Sequence, residues 1–313
     1  MPPTADETLA DEAARRRPAG AAGIVAGLLT IVGGALAVLA YSDLPTVPLL
    51  DAMREQLSAS PPAAGLKVRQ ALYYDDHAAA IIVATLASAL AAGAIGLVLS
   101  HLYRSTQARR PELRRAIVVA VIAGSTLIAV GELARGLALV IESHNLAGSA
   151  RPTAEAARDV LSAPVVVAGI VLRLLGTFAL GIGLVLLALN AMRVGLLTRF
   201  MGVLGIIVGA LFVIPLGASL PIVQAFWLAA LGALFLGYWP PGLPPAWVTG
   251  EAQPWPTQQE LREQRLARKS ETASTEKAQR PRRQRPEPPE TPAPEAPARP
   301  AHPSSKKRKR KRR

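Results

Sequence analysis

The chain has 313 residues, 50% of them hydrophobic, with a formal charge of +13 and no cysteine. The missing cysteine excludes disulfide staples, thiolate nucleophiles and cysteine metal sites, and with four His and no HExxH spacing a zinc or iron centre would have to lean on carboxylates. Apolar and charged residues are segregated: long uncharged runs fill the first three quarters and Pro, Arg, Lys and Glu crowd the last quarter, which excludes an ordinary soluble domain.

A hydrocarbon layer about 30 Å thick needs roughly twenty residues at about 1.5 Å each. Six runs approach that length, so the expected fold is an all-α integral membrane protein of about six transmembrane helices with a disordered basic C-terminal tail. Residues 1–19 are polar and are expected to form a disordered cytoplasmic N-terminus. The transmembrane domain is expected over 20–239. Arg15, Arg16 and Arg17 precede the first run, which is too long for the apolar core of a cleaved signal peptide and reads as a first span over 21–41. Within it Gly23 and Gly27 form a GxxxG pair suited to close helix approach.

Residues 42–77 connect this span to the next and carry five carboxylates, Asp43, Asp51, Glu55, Asp75 and Asp76. Leu49 to Leu57 is expected to form a short helix stopped by Pro61 and Pro62. Tyr73 and Tyr74 suit the headgroup level before a second span over 78–103. A link with Arg104, Arg109, Arg110, Arg114 and Arg115 leads to a third span over 116–141. After the connection 142–163, Pro164 suits the first turn of a fourth span over 164–192. Arg193 and Arg199 flank a short link to the fifth span, 200–215, where Gly205 and Gly209 repeat the GxxxG spacing. A Gly217-Ala218-Ser219 turn leads to the sixth, 220–239, ending at Tyr238 and Trp239. The links rich in Lys and Arg alternate with those rich in carboxylates, so both termini are expected in the cytoplasm.

Three charges fall inside spans: Glu132, Arg135 and Arg173. Charge in hydrocarbon is costly unless paired or hydrated. Counted from the span ends, Glu132 and Arg173 lie at one depth and are expected to meet, with Arg135 one turn nearer the outside on the face of Glu132. One account is a structural pair fixing helix register, with Arg135 snorkelling outward. The other is a proton- or ion-linked site, helped by Ser125 and Thr126. Apart from Gln224 and Asn190, the spans offer little else to bind a polar solute. His77, His101 and His144 lie near span ends, on opposite sides of the membrane, which disfavours a shared metal site.

The tail is expected over 240–313. The Pro- and Trp-rich stretch from Trp239 to Trp247 should lie along the interface, and Thr257 followed by Glu260 has capping-box spacing for a charged helix to Lys269. A Pro-rich disordered tract follows. The chain ends in eight cations, Lys306, Lys307, Arg308, Lys309, Arg310, Lys311, Arg312 and Arg313. No fold requires them, and they suit anionic lipid headgroups or, by backbone neutralisation alone, ribosomes, RNA or DNA.

The stretch from Asn190 to Gly209, containing Ala191-Met192-Arg193-Val194-Gly195-Leu196-Leu197-Thr198-Arg199, resembles a group of actinobacterial multi-span membrane proteins, and Gln224 to Trp247 extends the likeness. It covers residues 165–256 and implies a plasma-membrane, multi-helix protein with no activity to carry over. Three readings stand. The first is a structural or interaction protein presenting its polybasic tail to the cytoplasm. The second is a small transporter or channel using Glu132 and Arg173. The third is a membrane assembly factor whose tail contacts ribosomes or nucleic acid. Small-residue faces also allow homo-oligomers. No nucleophile–base set or paired carboxylates fall on one side of the bilayer, so neither an enzyme nor a cofactor is expected.

Overall fold

The computed structural model describes residues 4–46, 65–149, 152–214, 221–240 and 242–255 of one compact unit, Met1–Trp255, and residues 260, 262–263 and 265–268 of a second, Pro256–Arg313. Helix α1 runs Ala5–Tyr41, α2 Leu66–Asp76, α3 Ala78–Arg109, α4 Arg115–Ala147 and α5 Ala154–Leu161. Then come α6 Pro164–Arg193, α7 Arg199–Val213, α8 Ile222–Leu236 and the single turn α9 Ala246–Thr249. Among the described residues, four helices are long and apolar enough to cross a membrane: α1, α3, α4 and the stretch Ala154–Arg193 that contains α6. The apolar helices α7 and α8 have 15 residues each, about 22 Å at the usual rise.

The starts of α3 and α6 fall where the sequence places them, and α3 and α4 continue one to two turns beyond the apolar runs. The N-terminal segment departs from expectation. It is helical from Ala5 instead of disordered, opened by a capping box in which the Thr4 N–H donates to Glu7 Oε2 at 2.8 Å and the Glu7 N–H donates to Thr4 Oγ1 at 3.3 Å. The Thr4 backbone N–H, and then its hydroxyl, hold the Glu7 carboxyl below its ordinary range.

Partners far away in sequence hold this polar helix down. Glu12 forms a bidentate pair with Arg109 of α3, the second contact at 3.0 Å, and the Arg109 side chain is fully enclosed. Arg109 also donates to the carbonyls of Ser105 (3.0 Å) and Ala246 (2.7 Å) and lies 5.6 Å above the Trp247 ring. Arg16 donates to the Phe235 carbonyl at the end of α8. Propensity alone reads 1–19 as a free terminus. Buried charge pairing makes it part of the bundle.

The Pro- and Trp-rich segment folds back onto the α6–α7 link. The indoles of Trp247 and Trp255 donate to the carbonyls of Leu196 and Leu197, each at 2.8 Å, and the Gln253 N–H donates to Val194 at 3.0 Å. Gly195 sits at φ 79°, with the Gln253 carbonyl where a Cβ would project, so only glycine fits. The compact unit therefore extends to Trp255, beyond the boundary at 239 read from composition.

Around the bundle, α8 packs on α1, α1 on α3, α3 on α4, α4 on α6 and α6 on α7. Successive helices α7 and α8 touch each other little, chiefly through Trp227, whose indole donates to the Met201 carbonyl at 2.9 Å and whose ring lies over Gly205. The faces of both GxxxG pairs are occupied within the chain. Gly23 meets Gly232 of α8, and Gly209 meets Gly181 and Val185 of α6. The tightest seam joins α4 to α6, where Gly124 approaches Gly176 and Gly131 approaches Gly169. Large apolar side chains such as Leu28, Leu90, Leu97 and Leu175 point outward, as lipid-facing residues do.

At the acidic end, α2 and α5 form a cap built on Val68, Ala71, Leu146, Ala157 and Val160. The Leu49–Leu57 helix, the Gly217–Ser219 turn, Thr257 and the octamer 306–313 lie outside the described residues. The described residues of 260–268 are helical and exposed. Replacing Glu12 by Ala strands an enclosed guanidinium and should cost about 3 kcal/mol or more in thermal unfolding of the purified protein. Asp11→Ala, which removes the exposed Asp11–Arg15 pair, should cost less than about 1 kcal/mol.

Candidate functional site: a polar cavity within the bundle

The α4–α6 seam decides where the intramembrane charges sit. Gly131 has no side chain, so the backbone of Arg173 comes against it; a Cβ there would lie 2.6 Å from the Arg173 nitrogen. Gly169 receives the backbone of Arg135 in the same manner. Glu132 and Arg173 are thereby brought side by side, and Arg173 Nε lies 2.9 Å from Glu132 Oε1. The meeting expected from residue counting is met in the geometry.

Arg135 is the second, more distant partner of Glu132. Its Nη2 is 3.6 Å from Glu132 Oε2, at the edge of ion pairing, and 3.5 Å from the Tyr41 hydroxyl. Its guanidinium lies 5.9 Å over the Tyr41 ring, a cation–π arrangement at the end of α1. Arg135 thus reaches toward the acidic end of the bundle, and Arg173 is the principal partner of Glu132. The Glu132 side chain is 16% exposed and that of Arg173 48% exposed. One face of the pair is open.

That face opens onto a cavity of about 340 Å³ between α1, α3, α4, α6, α7 and α8. Beside Glu132 and Arg173 it is lined by Thr30, Ser88, Thr177 and Gln224, with Ile95, Ile128 and Phe212 among its apolar walls. Thr30 and Thr177 donate their hydroxyls to carbonyls one turn back, Ala26 and Arg173, both at 2.7 Å. That bond uses the proton and leaves oxygen lone pairs for a guest. The cavity therefore offers one carboxylate, one guanidinium, one carboxamide and three hydroxyl groups at membrane depth. It has room for a small polar solute or several waters.

One sequence expectation needs correction. Ser125 and Thr126 do not join Glu132; they line a separate groove between α1, α3 and α4, and the Ser125 hydroxyl donates to the Ile122 carbonyl at 3.0 Å. Asn190 does not face the cavity either, and its Oδ1 accepts from Arg110 at 2.8 Å. Thr30, Ser88 and Thr177 were not legible as site residues, because isolated hydroxyls in spans usually bond their own helix. Gln224 was the one signal available in sequence.

The three histidines are dispersed. His77 stacks on Tyr73 with ring centroids 3.9 Å apart, and His144 Nδ1 lies 2.9 Å from Asp75, both at the acidic end. His101 is buried at the basic end against Phe235 and Trp247. Compared with protein families, curated proteins and solved structures, the chain matches none.

Glu132 compensates two guanidiniums, whereas loss of Arg173 leaves Glu132 beside Arg135. Thermal unfolding in lipid should therefore rank wild type above Arg173→Gln and Arg173→Gln above Glu132→Gln, the last losing about 2–3 kcal/mol. The double variant Glu132→Gln/Arg173→Gln should recover part of that loss. Equal loss in both single variants would contradict the assignment of Arg173 as the principal partner.

Proposed function

We propose that this multi-span helical membrane protein binds a small polar solute in the cavity at Glu132 and Arg173 and passes it across the bilayer, as a small transporter or channel. The reading rests on one observation: the ion pair lines a cavity that collects four further polar side chains from four different helices. A pair that only fixes register gains nothing from an adjoining polar cavity, because polar groups in hydrocarbon are costly unless they have a task or a partner.

In this reading α7 and α8 complete six spans, and both termini lie on the cytoplasmic face of a bacterial plasma membrane. The basic links at 104–115 and 193–199 support that orientation, since Lys and Arg beside spans favour the cytoplasm.

The absence of cysteine makes a direct test possible. Ser88→Cys and Gln224→Cys are each exposed to small charged thiosulfonate reagents in bilayers, with lipid-facing Leu90→Cys as control. Both cavity thiols should react and the control should not, since thiolate forms only where water reaches. Adding Arg173→Gln should slow the anionic reagent relative to the cationic one by about tenfold. Unreactive thiols at 88 and 224 mean a dry structural pair, and the solute-binding reading fails.

A second reading is carried by the octamer 306–313: an interaction module whose tail holds anionic lipid, or ribosomes and nucleic acid, at the cytoplasmic face. Trp255 is anchored to Leu197 and closes the compact unit, so truncation after it leaves the bundle whole. The full chain should retain polyanions at low salt that the truncated chain loses, with affinity falling steeply as salt rises. Identical retained material on both would remove this reading, and loss of bound RNA on nuclease treatment would identify the partner.

A further inference from the structure

Helices α1 and α4 both pack along α3 and diverge on either side of it, leaving a groove of about 570 Å³ open toward lipid. Gly93 and Gly96 of α3 form its floor, and a Cβ on Gly93 would meet nothing within 4 Å, so the floor there is open space. The rim is apolar and exposed, with Leu97 at 67% and Ile122 and Val130 at about half. The hydroxyls of Ser100 and Ser125 donate to carbonyls of their own helices, Gly96 and Ile122, and with Thr126 they are the only hydroxyls among the described lining residues, so the walls are largely apolar. From Gly93 to Arg104 is eleven residues, about 16 Å, close to one leaflet of a core about 30 Å thick.

The groove ends at the basic end against Arg15, His101 and Arg104, where it adjoins a second chamber of about 310 Å³ lined by the same three residues, Ser105 and the carboxylates Glu7, Asp11 and Glu12. The three carboxylates that line this chamber are each already engaged. Glu7 accepts from Thr4, Asp11 pairs with Arg15 at 3.0 Å, and Glu12 is held by Arg109. Arg104 is exposed, and among the described residues no ion pair or hydrogen bond involves its side chain. His101 is 7% exposed, and its Nε2 and the Ser105 hydroxyl are buried without a hydrogen-bond partner. Buried polar atoms are normally satisfied, so two orphans beside an unpaired guanidinium mark a place for a missing acceptor-rich group. Apolar walls one leaflet deep below an anion-accepting rim fit one chemistry.

We propose that this groove seats one anionic phospholipid, with an acyl chain over Gly93, Gly96 and Leu97 and the phosphate held by Arg104 with Arg15 and His101. The site is separate from the Glu132 cavity and stands whichever face of the membrane the basic end occupies, because that end lies at headgroup level in either case.

The test uses the full chain in mild detergent, offered phosphatidylcholine and phosphatidylglycerol in equal amounts, with retained lipid counted by native mass spectrometry. One phosphatidylglycerol should stay on the wild type in preference to phosphatidylcholine. Arg104→Gln, an exposed position whose change leaves the fold intact, should lower that retention about fivefold, in line with one basic contact at a headgroup. Gly93→Leu, which fills the floor, should lower retention of both lipids. Arg115→Gln, a cation at the same end away from the groove, should change nothing. Excess inorganic phosphate should fail to displace the lipid. Equal retention of both lipids by the wild type overturns the proposal, as does an Arg115→Gln effect as large as that of Arg104→Gln. Displacement by inorganic phosphate overturns the lipid assignment and leaves only an anion site.

Discussion

The close approach of α4 to α6 is the contact from which the rest of the bundle takes its geometry. Lipid tails are as apolar as leucine, so helices in a bilayer gain little by hiding apolar side chains from one another and associate through close backbone packing. Gly124 against Gly176 and Gly131 against Gly169 supply that packing, seven residues apart on each helix and antiparallel. A side chain at any of the four would push the helices apart. The same glycines flank the charged residues, so the seam that joins the helices also sets the depth and spacing of Glu132 and Arg173. The ion pair depends on the seam for its geometry.

At the basic end the bundle is held by different means. There the helices leave hydrocarbon, and polar contacts become affordable where backbone carbonyls and indoles are at hand to satisfy them. Arg109 is the hub: it engages a carboxylate from α1, two carbonyls and the Trp247 ring, leaving few of its donors idle. Three indole donors tie the 194–201 region to α8 and to the segment after it. This layer fixes α1 far past the apolar run, and with it the wall of the groove over Gly93. The cavity and the groove consequently lie in different parts of one bundle, one bounded by charge within the span and the other by charge at its rim.

Legibility followed the range of the interactions. The spans could be read because a run of apolar residues reports the solvent it faces, and the solvent is the same all along the run. Glu132 and Arg173 could be paired because both depths count from nearby span ends along regular helices. Glu12 lies in a segment that its polar composition marks as a disordered terminus, and its partner lies 97 positions away. Thr30, Ser88 and Thr177 carry no sign of their shared cavity, since each is locally an ordinary hydroxyl in a helix. Ser125 and Thr126 misled because nearness in sequence to Glu132 does not place a residue on the same face.

What the sequence determined by itself, then, is the membrane character, the apolar helices, the alternation of basic and acidic links and the depth of the charges, all properties of single segments against a uniform solvent. Only the tertiary structure decided which glycines touch, that α8 joins α1 instead of α7, that the N-terminal segment is helical, and which polar side chains share a cavity. Those outcomes depend on rotation of each helix about its axis. In lipid that rotation is set by backbone fit between distant residues, for which no local pattern exists.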